Sequence, residues 1–206
     1  MKECCSASPV FTGMDPLYKR ALVWVIAING IMFVVELSAG VAAGSQALQA
    51  DALDFLGDSI SYGLSLWAIG HTVRTRATVA IYKAFSLLLM GLWVLGSTLY
   101  QFFILGVPEA QIMGFIGLLA LLANLFSVLI LARFRAGDAN VRSVWLCSRN
   151  DAIGNIAVLM ASLLVWWLGA AWPDLIVALV MSGLFVWSAK SIFTQAWQEW
   201  RQAESG

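Results

Sequence analysis

The chain has 206 residues, of which 61% are hydrophobic and only 12% charged, with ten Trp and a mean hydropathy of +0.83. That balance excludes an ordinary soluble globular domain and describes a membrane protein with little mass outside the bilayer. Twelve Lys and Arg offset twelve Asp and Glu, and no nucleic-acid motif is present, so a nucleic-acid partner has no support.

Residues 1–20 have no apolar core directly behind their basic residues and read as a short cytoplasmic tail, not a cleaved signal. Six apolar segments follow, at about 21–43, 47–70, 78–104, 111–132, 143–168 and 174–192, each near the length that crosses a bilayer as a helix. The predicted fold class is therefore all-α, a polytopic six-helix transmembrane bundle over residues 21–192. Gly44-Ser45, Pro108-Glu109 and Trp172-Pro173-Asp174 mark three short turns. Residues 193–206 form a short cytoplasmic stub, the Trp-rich end of an interfacial helix.

Lys19, Arg20, His71, Arg74, Arg76, Arg133, Arg135, Arg142, Lys190 and Arg201 all fall on one side of the six segments. The three opposite turns hold no Lys or Arg. By the positive-inside tendency both termini are cytoplasmic. Gly91, Gly96, Gly114 and Gly117 in the third and fourth segments are expected to allow close helix packing.

Ionisable groups inside apolar segments are costly and need partners, which makes the second and fifth segments the informative ones. The second reads SQALQADALDFLGDSISYG, and its Asp54 and Asp58 are four residues apart on one helix face, with Asp51 nearly on that face. The fifth reads VRSVWLCSRNDAIGNIAVLM, with Cys147, Asp151 and Asn155 as a stripe at the same spacing. Two such pairs, Asp54 with Asp58 and Cys147 with Asp151, would offer four donors to one tetrahedral divalent ion. Carboxylates and a thiolate must shed protons to ligate, so metal and proton compete for one site.

A second reading has the acids neutralised by Arg149, in a membrane sensor or structural subunit that transports nothing. One cation cannot neutralise five acids, and Glu36, Asp51, Asp54, Asp58 and Asp151 number five. Glu36 in the first segment is either a proton relay or the partner of Arg149, and Asn29 shares its face. Asn124 suits an interhelical hydrogen bond, Gln46, Gln49, Ser59 and Ser61 suit polar contacts around the ligands, and Lys83 reaches for the headgroups. Tyr62 reads as packing. Cys4 and Cys5 on the tail and the lone His71 make no ligand set. An intramembrane enzyme has no recognised catalytic motif behind it, and no resident cofactor is expected.

With these residues in place, the chain resembles the cation diffusion facilitator family. ALQADALDFLGDSIS is similar to the family's second-helix signature, with Asp54 and Asp58 at the ligand positions and Asp51 as the preceding acid. NVRSVWLCSRNDAIGNIAV is similar to the fifth-helix signature, with Cys147 and Asp151 at the paired positions. The resemblance implies six transmembrane helices with both ends inside, a homodimer in lipid, and export of zinc or a related divalent ion in exchange for protons. A bacterial inner membrane is the expected setting. Cys147 stands where relatives generally carry His or Asp, which adds cadmium or another soft ion to the expected substrates. The chain shows no counterpart of the relatives' C-terminal cytoplasmic domain, which predicts dimer contacts through the membrane helices.

Overall fold

The computed structural model describes residues 15–67, 72–104, 106–134 and 139–202, and among these the chain is helical with no strand. The helices are α1 (Pro16–Ala43), α2 (Gln46–Trp67), α3 (Val73–Ile104), α4 (Ala110–Ala132), α5 (Ala139–Leu168) and α6 (Trp172–Gln202). α1 starts earlier than the apolar pattern suggests because Asp15 caps it, its carboxylate accepting from Leu17 N at 2.7 Å ahead of Pro16 in the first turn. It ends at Gly44, whose φ of 67° only glycine adopts without penalty, with Ser45 N donating to Gly40 O at 2.9 Å. α6 runs from Trp172 to Gln202, with residues 193–202 as its helical end.

Five of the helices are long and apolar enough to cross a membrane. The exception is α2, which has the length, at about 33 Å for its 22 residues, but carries three Asp. Its surroundings explain the difference. α3 pairs along its length with α6, α1 with α2 and α4 with α5, and α2 also touches α3, α5 and α6. The helix that carries three aspartates thus packs against four of the others. The outward surface of the others is apolar, with Trp24, Phe103, Phe115 and Trp167 all exposed. Side chains of this kind face lipid without cost, and the chain is an integral membrane protein.

The three short turns meet at one end of the bundle. Glu109 N donates to Ala43 O at 2.9 Å, and Asp174 lies against Ser45. Below them Ala47, Leu48, Met113, Val158, Ala161 and Val165 form an apolar cluster. At the opposite end Tyr18, Leu22, Val25, Tyr62, Leu131 and Phe134 form another. There Arg74 stacks over Trp200 at 5.4 Å and Arg201 over Trp197 at 5.3 Å, a cationic and aromatic rim of the kind that sits at headgroup depth. Of the four glycines expected to pack, Gly91 lies so close to α6 that a Cβ would meet Val186 Cγ2 at 3.0 Å, and Gly114 and Gly117 face α5. Gly96 instead faces open space.

Candidate metal centre

Along α2, Asp51, Asp54 and Asp58 span about 10 Å of helix axis. Helical periodicity turns all three toward α4 and α5, where Asp51, Asp54, Phe55, Asp58, Asn124 and Asp151 line an interior pocket of about 160 Å³. Asp151 makes side-chain contact with both Asp54 and Asp58. The structure therefore brings together three of the four residues singled out as ligands. Carboxylates held this close repel one another unless a shared proton or a cation lies between them.

Among the described residues, no three His, Cys, Asp or Glu side chains already surround a point where an ion would sit. Asp151 stands against Asp54 and Asp58 across the pocket. Cys147 lies on α5 one turn before Asp151, and its side chain is outside the described residues, as are Cys4, Cys5 and His71.

The surroundings fix the carboxylates from several helices. Tyr62 donates its hydroxyl to Asp58 Oδ2 from the next turn of α2. Lys83 of α3 is within electrostatic reach of Asp58. Asn124 Nδ2 of α4 donates to Asn155 Oδ1 of α5 at 3.0 Å, and Asn155 Nδ2 donates to Asp51 Oδ2 at 3.1 Å. This buried chain ties α4, α5 and α2 together beside the acids. Glu36 of α1 is fully buried against Asp51, with Asp54 beyond it. Neither Glu36 oxygen makes a hydrogen bond of ordinary geometry, so the contact between the two acids is a close approach of carboxyl groups.

Arg149 is exposed on α5, and among its contacts is a hydrogen bond donated to Asn150 Oδ1 at 3.3 Å. Gln49, Ser59 and Ser61 donate to the backbone oxygens of Ser45, Ile26 and Gly57. Two residues were not singled out by sequence reasoning. Tyr62 holds Asp58, and its position four residues on was the available signal. Asp174, read as part of a turn, is buried against the start of α2, and no local pattern marks that contact.

The cation efflux transmembrane domain model matches residues 22–199. Metal cation efflux system protein CzcD of Cupriavidus metallidurans is 29% identical over 182 residues, covering 82% of this chain and 57% of that protein. Zinc transporter ZitB of Yersinia pestis is 28% identical over 211 residues, covering 94% of this chain and 66% of that protein. A cadmium, cobalt and zinc/H(+)-K(+) antiporter of Bacillus subtilis is 25% identical over 192 residues, covering 84% and 60% respectively. The chain thus spans less than two thirds of the length of each of these relatives. With acids of α2 and α5 converging inside the bundle and most of the chain matching the family's membrane domain, the protein belongs to the cation efflux family of transporters.

Proposed function

We propose that this protein exports a divalent transition metal by exchange with protons, with zinc the favoured substrate and cadmium or another soft ion also carried. Asp54, Asp58, Cys147 and Asp151 are the proposed ligands, and the metal is cargo. The observation that carries this reading is the convergence of Asp54, Asp58 and Asp151, from two helices, on one interior pocket. The names of the zinc, cadmium and cobalt relatives support the substrate class, and the antiporter among them supports exchange with a counter-ion.

Each ligand carboxylate has to be ionised to bind the metal, so loading expels protons and protonation expels metal. If the pocket opens alternately to the two sides, an inward proton gradient drives metal outward. Glu36, touching Asp51, extends the row of acids toward α1 and suits a proton relay. Asn155 orients Asp51. All six helices span the membrane in this reading, α2 included, because its Asp residues face the interior. Both termini lie in the cytoplasm of a bacterial cell, the membrane is the inner one, and two copies associate through their membrane helices.

The test is flux in liposomes with an internal pH dye, under opposed gradients of zinc, cadmium and manganese in turn. Metal movement coupled to opposite proton movement, and lost in Asp58→Ala, is the expected result. Folded protein that moves neither metal nor protons would return the acids to a sensory or structural role.

A further inference from the structure

Asp174 stands in the first turn of α6, yet its carboxylate serves a different helix. It is fully buried. Its Oδ1 accepts from Ser45 Oγ at 2.6 Å and from Ala47 N at 3.1 Å, and its Oδ2 accepts from Gln46 N at 2.8 Å. Those amides belong to the opening turn of α2, whose first N–H groups have no partner within the helix. Ser45 Oγ accepts in turn from Leu48 N at 3.1 Å. The N-cap of the acid-bearing helix is therefore built from two places, one next to it in sequence and one 129 residues away. A carboxylate suits the task, since it accepts on both oxygens and complements the positive end of the helix dipole.

The same end of α2 is held by α3. Gln101 Nε2 donates to Gly44 O in the turn just before α2. α3 and α6 are themselves locked together, with Ser182 Oγ donating to Gly91 O at 2.8 Å. Further along α2, the described side-chain hydrogen bonds to other helices include the long Ser59 to Ile26 contact at 3.5 Å and the Asn155 to Asp51 bond. The acids of α2 also meet Glu36 of α1 and Asp151 of α5, but those contacts between carboxyl groups do not fix the height of the helix as directed hydrogen bonds to its first amides do.

We infer that Asp174 is a positioning residue for transport: by capping α2 from α6, it sets the height and rotation of that helix, and so places Asp54 and Asp58 against Asp151. The inference rests on the reading of those acids as the metal site. Its test compares Asp174→Asn and Ser45→Ala with Ser182→Ala, which cuts a buried α3–α6 hydrogen bond without touching α2. Zinc affinity by calorimetry, hydrogen exchange along α2 and thermal stability are measured on each purified full-length protein.

Asp174→Asn keeps one good acceptor, turns an amide donor toward a backbone N–H, and is expected to weaken zinc binding by about tenfold. Ser45→Ala moves affinity the same way by a smaller factor, and in both variants exchange quickens from the cap through Asp58. Ser182→Ala is less stable but keeps wild-type affinity and wild-type exchange in α2. Unchanged affinity in Asp174→Asn with faster exchange confined to residues 45–48, or equal losses in Ser182→Ala, overturns the inference. If Asp174→Asn does not fold, Ser45→Ala against Ser182→Ala decides the same question. If the wild type binds no zinc, the metal-site reading fails, while the exchange pattern still decides whether the cap positions α2.

Discussion

Tyr62→Phe isolates one hydrogen bond at the proposed site. Tyr62 is 3% exposed and packs in the cluster with Tyr18, Leu131 and Phe134, so the Phe ring fills the same space and leaves no cavity. What is lost is the hydroxyl that donates to Asp58 Oδ2. A hydrogen bond to a charged acceptor contributes about 1.5–3 kcal/mol to stability, which sets the upper bound on the expected loss in thermal unfolding. The effect on metal binding is smaller, because Asp58 keeps both carboxylate oxygens as donors and loses only its fixed orientation. Re-ordering one side chain on binding costs about 0.5–1.5 kcal/mol, which weakens affinity by about two- to twelvefold. Calorimetric titration with zinc at constant pH, beside a thermal melt, reads both quantities. Wild-type zinc affinity in a destabilised Tyr62→Phe protein would mean that Tyr62 packs and does not orient Asp58, and the reasoning would be refuted.

Three further outcomes are expected. Because ligation requires ionised carboxylates, zinc binding tightens as pH rises and weakens as pH falls, by about tenfold per pH unit for each proton displaced, and calorimetry in buffers of different ionisation heat counts those protons. Cys147→Ser removes the thiolate, the softest proposed donor, and should lower cadmium affinity more than zinc affinity, a change in ratio on the order of tenfold in competition titrations. In Gly91→Ala the new Cβ meets Val186 and Phe185 at 3.0 and 3.1 Å and should cost about 1–3 kcal/mol. Gly96→Ala, in open space, should be neutral or gain up to about 1 kcal/mol of helix propensity, and thermal unfolding of the pair separates packing from propensity.

Composition and hydropathy alone mark a helical membrane chain, because a bilayer tolerates only backbone that satisfies its own hydrogen bonds, and long apolar runs do so as helices. The pairing of Asp54 with Asp58 was equally accessible, since four residues along one helix is a local relation that needs no partner. Helix ends were less so. Asp15 extends α1 by a cap, and α6 continues through polar residues that a hydropathy window discards. Which helix the acids of α2 face, and that Asp151 touches both Asp54 and Asp58, follows from packing among α2, α4 and α5. The chain from Asn124 through Asn155 to Asp51 joins residues 31 and 104 positions apart, and the cap from Asp174 to Ser45 joins residues 129 apart. Periodicity reports which side of a helix is polar, but it holds no information on what stands opposite. That depends on the distances and crossing angles of helices far apart in the chain, which the packing of the whole bundle decides.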